Sequence, residues 1–358
     1  WQLHVAAGEP LPCSQKDLAI SGHAFEVRIY AEDPQKDFLP SIGTLTHLRV
    51  PAEGAHLRID TGIRQGDEVS LHYDPMVAKL IVWDGNRESA LRRLRRALEE
   101  VQIVGVATNV PFLGKIAAHP SFARGEVDTG FIERHRETLL SPPPPAPDAV
   151  LALAVLDILL RRDREAQAAA AGSADPWSPW DLTCGWRLNG DNHHSLTLTE
   201  GDRGIPVVAH YRRGGYLLEL PGGDLEVQGE FGPDGELVAS LGGIRTVARV
   251  IGRDRDLTVL RSGEIYRLHL QDPYAQGMEQ EEPGTGLTAP MPGKVVAVMV
   301  ESGAEVRKGA PLLVLEAMKM EHTISAPADG KIVELHYPVG AQVTEGSPLV
   351  AFEAAGGN

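Results

Sequence analysis

The most constraining feature of this chain is a tandem repeat near its C-terminus. The first copy begins at Ala289-Pro290 and the second at Ala326-Pro327, a period of 37 residues (326 − 289 = 37) with no insertion or deletion. The other shared positions are Gly293-Lys294, Gly303-Ala304, Val306, Gly309, Pro311-Leu312 and Glu316-Ala317, which recur at Gly330-Lys331, Gly340-Ala341, Val343, Gly346, Pro348-Leu349 and Glu353-Ala354. A duplication of fixed period predicts two equal half-domains that pack around a centre. Lys319 lies in the connection between them.

Each copy is expected to form a four-stranded unit. The predicted strand cores are Val295–Val300, Pro311–Leu315, Ile332–Leu335 and Leu349–Phe352, and glycines occupy the turns between them. The symmetry of the two copies places their connection at a hairpin tip, so that Met318-Lys319-Met320 is exposed. A lysine held out on a rigid tip suits a carrier domain, whereas an ordinary turn lysine contributes at most ~1 kcal/mol at the surface. The repeat favours the interpretation of Lys319 as a carrier lysine over that of an ordinary turn lysine.

Composition restricts the class of protein. The 358 residues suffice for two or three domains, and the formal net charge of −15 argues against a nucleic-acid or anionic-membrane surface. The sequence has no apolar stretch long enough to span a bilayer and no secretory signal pattern. Its two cysteines, Cys13 and Cys184, supply neither a disulfide framework nor a zinc site. We expect a soluble protein of a reducing compartment, and the start at Trp1 without Met indicates a fragment.

Two changes in composition divide the chain into three regions. The proline-rich run 141–147 predicts an extended spacer of roughly 20 Å, at ~3.1 Å per residue. The segment 275–285, rich in charge, Pro and Gly, predicts a flexible linker. The predicted domains are therefore 1–140, 148–274 and 286–355.

The first region mixes helices and strands. His23–Tyr30 alternates as a strand does, and Arg87–Val101 has apolar residues at helical spacing. The opposite face of this helix carries four arginines, a pattern typical of a solvated surface rather than of an anion site.

The middle region predicts one amphipathic helix followed by an antiparallel barrel or sandwich. Asp148 is the expected N-cap of the helix and Gly172 its stop. The short alternating runs that follow are Trp186–Leu188, Ser195–Leu198, Val207–Tyr211, Tyr216–Leu220, Leu225–Gln228, Leu237–Leu241, Thr246–Ile251, Leu257–Leu260 and Ile265–Leu270. His193-His194 is expected in an exposed loop and not at a metal, because adjacent strand residues face opposite ways. The barrel is expected to be an interaction module.

The run Glu316-Ala317-Met318-Lys319-Met320, set within the repeat, resembles the motif of the biotin carboxyl carrier domain of biotin-dependent carboxylases. The resemblance implies that Lys319 is the biotinylated lysine, with Ala317, Met318 and Met320 as the residues that flank it. The related lipoyl carriers share the fold but usually have an Asp-Lys-Ala motif, so the flanking methionines favour biotin. Methionine also suits repeated weak docking with several partners.

The first region is similar to the same family. Gly22–Pro34 and Tyr73–Ile81 resemble the C-terminal third of biotin carboxylase. In that family an arginine sixteen residues before the Tyr-Asp aspartate faces the ureido ring of biotin, and this position is Arg58, counted back from Asp74. A fixed guanidinium can stabilise the negative charge that develops on the ureido oxygen. The alternative for Arg58 is a strand-surface ion pair.

The resemblance implies a multidomain chain of the α+β to mainly β class. Its parts would be the C-terminal lobe of an ATP-grasp biotin carboxylase, a helix plus antiparallel barrel that docks a partner subunit, and a pseudo-twofold flattened β-barrel carrier. The ATP loop, the metal-binding glutamates and the general base of the family lie upstream of Trp1. The fragment is therefore expected to be inactive by itself, while ATP and Mg²⁺ or Mn²⁺ bind through the missing part.

The domain order resembles the α-subunit of an acyl-CoA carboxylase. The compact length of the middle region and its runs Asp175–Asp181 and Gly185–Asn189 look most like 3-methylcrotonyl-CoA carboxylase, with geranyl-CoA and propionyl-CoA carboxylases as alternatives. The resemblance implies a carboxyltransferase β-subunit and a biotin protein ligase as partners, and a hetero-oligomer in the bacterial cytoplasm or, in a eukaryote, the mitochondrial matrix. Two other classes stay open: a lipoyl-type carrier and a non-catalytic biotinylated scaffold.

Overall fold

The computed structural model describes residues 1–273, 286–317 and 320–354. Over these ranges the chain forms an N-terminal unit of helices and strands, a closed barrel with a long helix, and a C-terminal unit of two sheets. The predicted linker 275–285, Met318 and Lys319 lie outside the described residues.

The N-terminal unit alternates short strands with helices. Its strands are β1 His23–Tyr30, β2 Glu32–Asp33, β3 Leu39–Pro40, β4 Gly43–Thr44, β5 His47–Arg49, β6 Leu57–Thr61, β7 Glu68–Val69, β8 Met76–Asp84 and β9 Gln102–Val104. Its helices are α1 Gln2–Ala6, α2 Arg87–Glu100, α3 Val110–Ala118, α4 Pro120–Arg124, α5 Phe131–Arg134 and α6 Arg136–Leu139, with 3-10 turns at Gln15–Asp17 and Pro34–Lys36. The predicted first strand and the predicted helix from Arg87 are both confirmed.

A three-stranded antiparallel sheet organises this unit. Its strand order is β1-β8-β6, and the central strand β8 places Leu80 opposite Val27 of β1 and Ile59 of β6. Asn86 is the N-cap of helix α2, and its side chain accepts from the backbone N–H of Ser89. The apolar face of α2 packs on the sheet. One face of the sheet is therefore buried, and the other remains open to solvent.

The middle unit is a closed barrel of eight antiparallel strands in sequential order. They are β10 His193–Glu200, β11 Arg203–Arg212, β12 Gly215–Leu220, β13 Gly223–Phe231, β14 Leu237–Leu241, β15 Ile244–Arg253, β16 Asp256–Arg261 and β17 Glu264–Leu270, and a 3-10 turn at Pro179–Asp181 precedes them. Closure leaves no unpaired edge in the barrel. The prediction of an antiparallel barrel is confirmed, but the predicted strand at Trp186–Leu188 is wrong, because these residues belong to an exposed loop.

Helix α7, Asp148–Ala171, supplies part of the barrel's own core. Every residue from Val150 to Leu159 is buried, and these side chains pack with the inward-facing residues of the strands. The expectation of an amphipathic helix is wrong for this half, because the barrel encloses it on all sides. Gly229 of β13 permits the close approach, since a Cβ there would lie 3.0 Å from the Leu156 side chain.

The ends of α7 differ from the prediction in one detail. Pro147 is the N-cap residue, and the carboxylate of Asp148 accepts instead from the backbone N–H of Gly222 at 2.9 Å. Asp148 therefore ties the helix to the β12–β13 turn. Gly172 is the C-cap, as predicted.

The buried half of α7 carries one charged side chain, Asp157. Its carboxylate accepts from Arg161 Nε at 2.6 Å and Nη2 at 3.0 Å, and burial raises the pKa of Asp157 against the opposing effect of Arg161. Arg161 Nη2 also donates to the carbonyl of Val250 on β15. Pairing and hydrogen bonds are what a buried carboxylate requires.

Replacing Leu153 of α7 by alanine is expected to destabilise the barrel by about 2–5 kcal/mol, because the side chain is fully buried and the barrel cannot collapse into the cavity. Hydrogen–deuterium exchange mass spectrometry of barrel peptides measures this loss separately from the other units. Leu160→Ala, at a partly buried position on the same helix, is the control and should cost less. Unchanged protection of the barrel in Leu153→Ala would contradict the enclosed helix.

The C-terminal unit has two four-stranded sheets that follow the repeat. Its strands are β18 Gly286–Thr288, β19 Gly293–Val298, β20 Glu305–Val306, β21 Pro311–Ala317, β22 Met320–Ser325, β23 Gly330–Leu335, β24 Gln342–Val343 and β25 Pro348–Ala354. The sheet orders are β22-β21-β19-β24 and β18-β25-β23-β20. A shift of 37 residues carries β19, β20 and β21 onto β23, β24 and β25, so the copies exchange their short edge strands. The two predicted four-stranded units therefore interlock around one core.

The predicted proline-rich spacer carries neither helix nor strand, but it is attached to the barrel. The backbone N–H of Ala146 donates to both carboxylate oxygens of Glu200, at 2.9 and 3.1 Å, and the Ala146 side chain is buried. Glu200 at the end of β10 therefore fixes the C-terminal end of this run to the barrel.

Candidate functional site

The hairpin expected between the two repeats is formed by β21 and β22. Their register pairs Leu315 with His322 and Ala317 with Met320. The two residues between these last partners are Met318 and Lys319, and both lie outside the described residues. The sequence-predicted carrier lysine therefore falls in a two-residue connection between paired strands.

Close packing supports the base of this hairpin. Ala317 is 3% exposed and belongs to the core of the unit. Gly293 of β19 lies against the end of β21, since a Cβ at residue 293 would stand 2.8 Å from the carbonyl oxygen of Glu316. A side chain at residue 293 would push β19 away from the strand that leads to Lys319, which explains why a glycine is needed there.

Arg58 lies on the open face of the N-terminal sheet. It is a β6 residue paired with Ile81 of β8, and its guanidinium binds Asp60 through Nε at 2.8 Å and Nη2 at 3.2 Å. This pairing raises the pKa of Arg58 and lowers that of Asp60. Among the described residues nothing hydrogen-bonds to Nη1, and the side chain is 71% exposed. Arg58 is thus a surface ion pair that keeps free donors directed to solvent.

The same face carries further charges in two cross-strand rows. Lys79 of β8 lies 3.4 Å from Asp60 and 3.9 Å from Glu26 of β1, and Arg28 lies 3.9 Å from Glu26. Asp60 and Glu26 are therefore shared between cations. Glu53, which accepts from the backbone N–H of Ile59 at 2.9 Å, adds a third carboxylate near Arg58, so the cations and carboxylates around Arg58 are closely balanced.

Arg58 and the hairpin belong to separate units. The ion pairs and hydrogen bonds of Arg58 within the described chain lie in the sheet β1-β8-β6, whereas Ala317 belongs to the C-terminal core. Within the described residues, the structure does not place Arg58 and the strands of the hairpin in one pocket.

Sequence reasoning used the tryptophan-containing runs 175–181 and 185–189 as a family resemblance but did not identify the exposed surface that they form. This surface, the aromatic loop, comprises residues 173–192 between α7 and β10. Its exposed apolar side chains are Trp177, Trp180, Leu182, Trp186 and Leu188, each at least two-thirds exposed. The loop is anchored at Thr183, whose hydroxyl donates to Asp163 of α7 at 3.0 Å. Exposed tryptophans grouped in one anchored loop are a feature that protein-contact surfaces share. Three tryptophans within ten residues of a turn-rich segment are the signal that could have found it.

A charged cluster fixes the C-terminal end of the aromatic loop. Asp191 accepts from Arg212 Nη1 at 2.9 Å and Nη2 at 3.0 Å, and His210 lies between two carboxylates. Its Nδ1 is 2.6 Å from Asp191 and its Nε2 is 2.7 Å from Glu219 of β12. Both ring nitrogens donate only in the imidazolium form. The hydrogen bond to Glu219, followed by that to Asp191, raises the pKa of His210 against burial.

This cluster predicts a pH-dependent stability. Because the folded pKa of His210 is raised above its usual 6.5, its contribution is complete below pH ~6.5 and is lost as pH rises through the folded pKa. Arg212 also faces this cluster, and the imidazole ring of His193 lies 5.7 Å from that of His210. We expect the difference in thermal midpoint between the native chain and His210→Gln to shrink from pH 6 to pH 9. A constant difference would contradict the imidazolium assignment.

The prediction that the adjacent histidines, His193 and His194, lie in an exposed loop is wrong. His193 and His194 begin β10 and are half-buried instead of lying in an exposed loop. His194 lies between the hydroxyl of Tyr211, at 2.9 Å, and Arg162, at 3.1 Å. The described ranges hold no cluster of three or more His, Cys, Asp or Glu side chains fit for a metal ion. Among the described helices, none is long and apolar enough to cross a membrane.

Comparison with known families matches three successive parts of the chain. Residues 26–134 match the biotin carboxylase C-terminal domain, and residues 147–273 match the BT domain of the methylcrotonyl-CoA carboxylase alpha-subunit. Residues 285–352 match the family described as biotin-requiring enzyme. The three matches follow the three units of the fold.

Several curated proteins are similar over 90% of the chain. The methylcrotonoyl-CoA carboxylase alpha subunits of Dictyostelium discoideum and Mus musculus, both mitochondrial, are 42% and 38% identical to it. The propionyl-CoA carboxylase alpha chain of Ruegeria pomeroyi is 33% identical. The matched region is 48%, 46% and 50% of these proteins, so the chain spans about half the length of the relatives it matches.

Among solved structures, the biotin carboxylase domain of a thermophilic 2-oxoglutarate carboxylase is 42% identical over 39% of this chain and 31% of its own, with a TM-score of 0.38. A single-chain long-chain acyl-CoA carboxylase is 23% identical and covers 99% of this chain and 25% of its own, with a TM-score of 0.36.

Proposed function

Because the chain belongs to the biotin-dependent carboxylases, we propose that it is the C-terminal half of an acyl-CoA carboxylase α-subunit. The observation that carries the proposal is the register of β21 and β22, which brackets Met318-Lys319 within a duplicated unit on the same chain as a biotin carboxylase lobe. A lipoyl carrier explains neither the lobe nor the barrel.

We propose five segments with distinct roles. Residues 1–140 complete a biotin carboxylase domain, 141–147 join it to the barrel, and 148–274 dock a partner subunit. Residues 275–285 link the barrel to the carrier, 286–355. Short linkers keep a tethered group at an effective concentration that reaches mM, which supports delivery of one carried group to two distant sites.

The residues present fit a covalent biotin. Lys319 would hold it through an amide at its ε-amino group, with Ala317 fixing the hairpin base and Met318 and Met320 flanking the attachment. Biotin, when bound, supplies a ureido nitrogen that accepts a carboxyl group at one site and gives it up at another. Arg58, exposed and held by Asp60, is the residue proposed to orient the ureido oxygen by donating to it. ATP and Mg²⁺ or Mn²⁺ would bind upstream of Trp1, so the 358-residue chain alone would not carboxylate free biotin.

The proposed partners engage two surfaces. The aromatic loop suits a carboxyltransferase β-subunit in a hetero-oligomer, because tryptophan is enriched at the centres of protein interfaces. Asp191 and Thr183 hold the loop in place before docking, which lowers the ordering cost of binding. A biotin protein ligase would act at the hairpin.

Removing the tryptophans of the aromatic loop is expected to abolish docking. The triple variant Trp177→Ser, Trp180→Ser, Trp186→Ser should reduce co-purification of the co-expressed β-subunit at least tenfold, since interface anchors typically cost 2 kcal/mol or more each. Ile244→Ser, an exposed apolar residue on β15, is the matched control and should leave co-purification unchanged. If the triple variant still retains the β-subunit, the β-subunit binds a surface other than the aromatic loop.

The proposed substrate is 3-methylcrotonyl-CoA, which fits a role in leucine degradation; geranyl-CoA or propionyl-CoA is the alternative. The test is capture of the full-length protein with its partner on monomeric avidin, followed by ATP-dependent bicarbonate fixation over a panel of acyl-CoAs. Fixation into 3-methylcrotonyl-CoA supports the proposal, and preference for another acyl-CoA replaces only the substrate. Biotinylation without fixation in the full-length complex would favour the scaffold. The proposed compartment is the mitochondrial matrix in a eukaryote, since the relatives from Dictyostelium discoideum and Mus musculus are named as mitochondrial, or the cytoplasm in a bacterium.

A further inference from the structure

The C-terminal unit contacts the N-terminal unit at a small mixed surface. Lys36 Nζ donates to Glu345 Oε1 at 2.9 Å, and Leu39 and Leu71 pack against the apolar core of the C-terminal unit. We call Lys36, Leu39 and Leu71 the seat. Leu39 follows the 3-10 turn that contains Lys36, so the charge and one apolar contact are presented together.

The strand register identifies which end of the C-terminal unit meets the seat. Gly293 of β19 pairs with Val343 of β24, and it also lies against Glu316 at the end of β21. Glu345 follows Val343 by two residues. The loop that contacts Lys36 is therefore at the end of the unit where β21 turns into β22, the end that leads to Lys319.

The repeat makes the two ends of this unit nearly alike, but their charges differ. The loop Thr344-Glu345-Gly346 corresponds to Arg307-Lys308-Gly309 in the first copy (345 − 308 = 37). Both loops are exposed, and both follow a short edge strand. One end thus presents the Glu345 carboxylate at this place. The other end presents Arg307 and Lys308, with the Asp329 carboxylate accepting from the backbone N–H of Lys308 at 2.7 Å, so one positive charge remains there. Lys36 attracts the first loop and repels the second.

We propose that this charge difference orients the carrier: the seat accepts the hairpin end of the C-terminal unit through Glu345 and rejects the opposite end through Lys308. The proposal rests on the proposed function, in which the hairpin end carries the group to be delivered. The inference adds to that function a surface on the carboxylase lobe, the seat, which would hold the C-terminal unit with its hairpin end facing the lobe. Leu71 lies two residues before Tyr73, in the segment that leads into β8 of the Arg58 sheet.

The strength of the contact suits a carrier that must leave again. The side chains of Lys36 and Glu345 are 54% and 58% exposed, so their ion pair contributes little free energy. A surface pair of this kind changes an equilibrium up to about fivefold. Two partly buried leucines add a small apolar contribution, and the complex remains reversible.

Cross-linking tests the orientation without needing biotin or activity. In the 358-residue chain with Cys13→Ser and Cys184→Ser, the exposed residues Gln35 and Thr344 are replaced by cysteine, so that Lys36, Glu345 and Lys308 keep their charges. This pair is treated with a short bis-maleimide, and the linked peptide is quantified by mass spectrometry. The control pair is Gln35→Cys with Arg307→Cys, at the repeat-equivalent position (344 − 307 = 37). We expect the first pair to link about fivefold more than the control. Equal yields, or a larger yield in the control, would overturn the proposal.

A charge exchange tests whether the seat acts in turnover. In the full-length subunit, Lys36→Glu should lower the carboxylation of the protein's own biotin about fivefold and leave that of free biotin unchanged. Exchanging the charges of both loops as well, with Glu345→Lys and Lys308→Glu, should rescue it. Failure of this triple variant to recover would overturn the role of the charges. Selective cross-linking in a protein that carries no biotin would preserve the seat and refute the proposed function, so the two failures are distinguishable.

Discussion

Replacing Lys319 by arginine is expected to remove all biotin from the protein and all acyl-CoA carboxylation with it. Arginine keeps the positive charge and the length of the side chain, but its guanidinium is not a nucleophile that forms a stable amide. Lys319 stands alone in this respect, because the second copy of the repeat has Gly356 at the equivalent position (319 + 37 = 356). Avidin blotting and ATP-dependent bicarbonate fixation by the full-length complex measure the two losses.

The control for this variant is Lys331→Arg, on β23 of the same unit. It should be biotinylated and active like the native protein. Residual avidin binding in Lys319→Arg would place the modification on another lysine and contradict the carrier assignment. Loss of biotin in both variants would point to a folding defect in the unit, which a circular dichroism comparison of the two proteins would reveal.

Replacing Arg58 by glutamine is expected to lower the carboxylation of free biotin by the full-length subunit about 10²- to 10³-fold, the loss typical of removing one donor to a developing oxyanion. Two contacts to Asp60 hold the guanidinium, and within the described part of the chain Nη1 has no hydrogen-bond partner, so Arg58 is the donor this prediction tests. The loss should appear mainly in kcat, since a donor that acts on developing charge contributes more to the transition state than to binding.

The matched control is Arg28→Gln, because Arg28 lies on the same sheet face, is similarly exposed and is paired only at 3.9 Å. It should change the rate much less. Equal losses of rate in the Arg58 and Arg28 variants would indicate that Arg58 acts only as one of several positive charges on this face. Unchanged ATP hydrolysis in the absence of biotin would confirm that the upstream half of the Arg58 variant is intact.

The sequence predicted the elements of the barrel better than the position of its helix. Leu151, Val155 and Leu159 repeat at helical spacing, so a helix was expected with one buried face. Ala152 and Ala154 fill the remaining faces with small side chains that bear no polar signal, and the strands close around them. Whether a helix with this pattern lies on a barrel or within it depends on long-range closure, which local periodicity does not encode.

The candidate functional site was also predicted only in part from the sequence. The repeat predicted the hairpin, because one period and one register determine which strands meet, and the alternation of β6 places Arg58 and Asp60 on one face. The cluster at His210 could not be predicted, because Asp191, His210 and Glu219 come from a loop and two strands whose register only the closed barrel sets. The exposure of Trp177 and Trp180 also depends on the loop remaining outside that barrel.

The most direct test of the central claim is the mass of the peptide that contains Lys319. The native protein from biotin-replete cells is digested, and the fragment is sequenced by tandem mass spectrometry. We predict one biotinyl group, located on Lys319 and on no other lysine. An unmodified Lys319, a lipoyl group there, or biotin on a different residue would contradict the assignment of this chain as a biotin carrier.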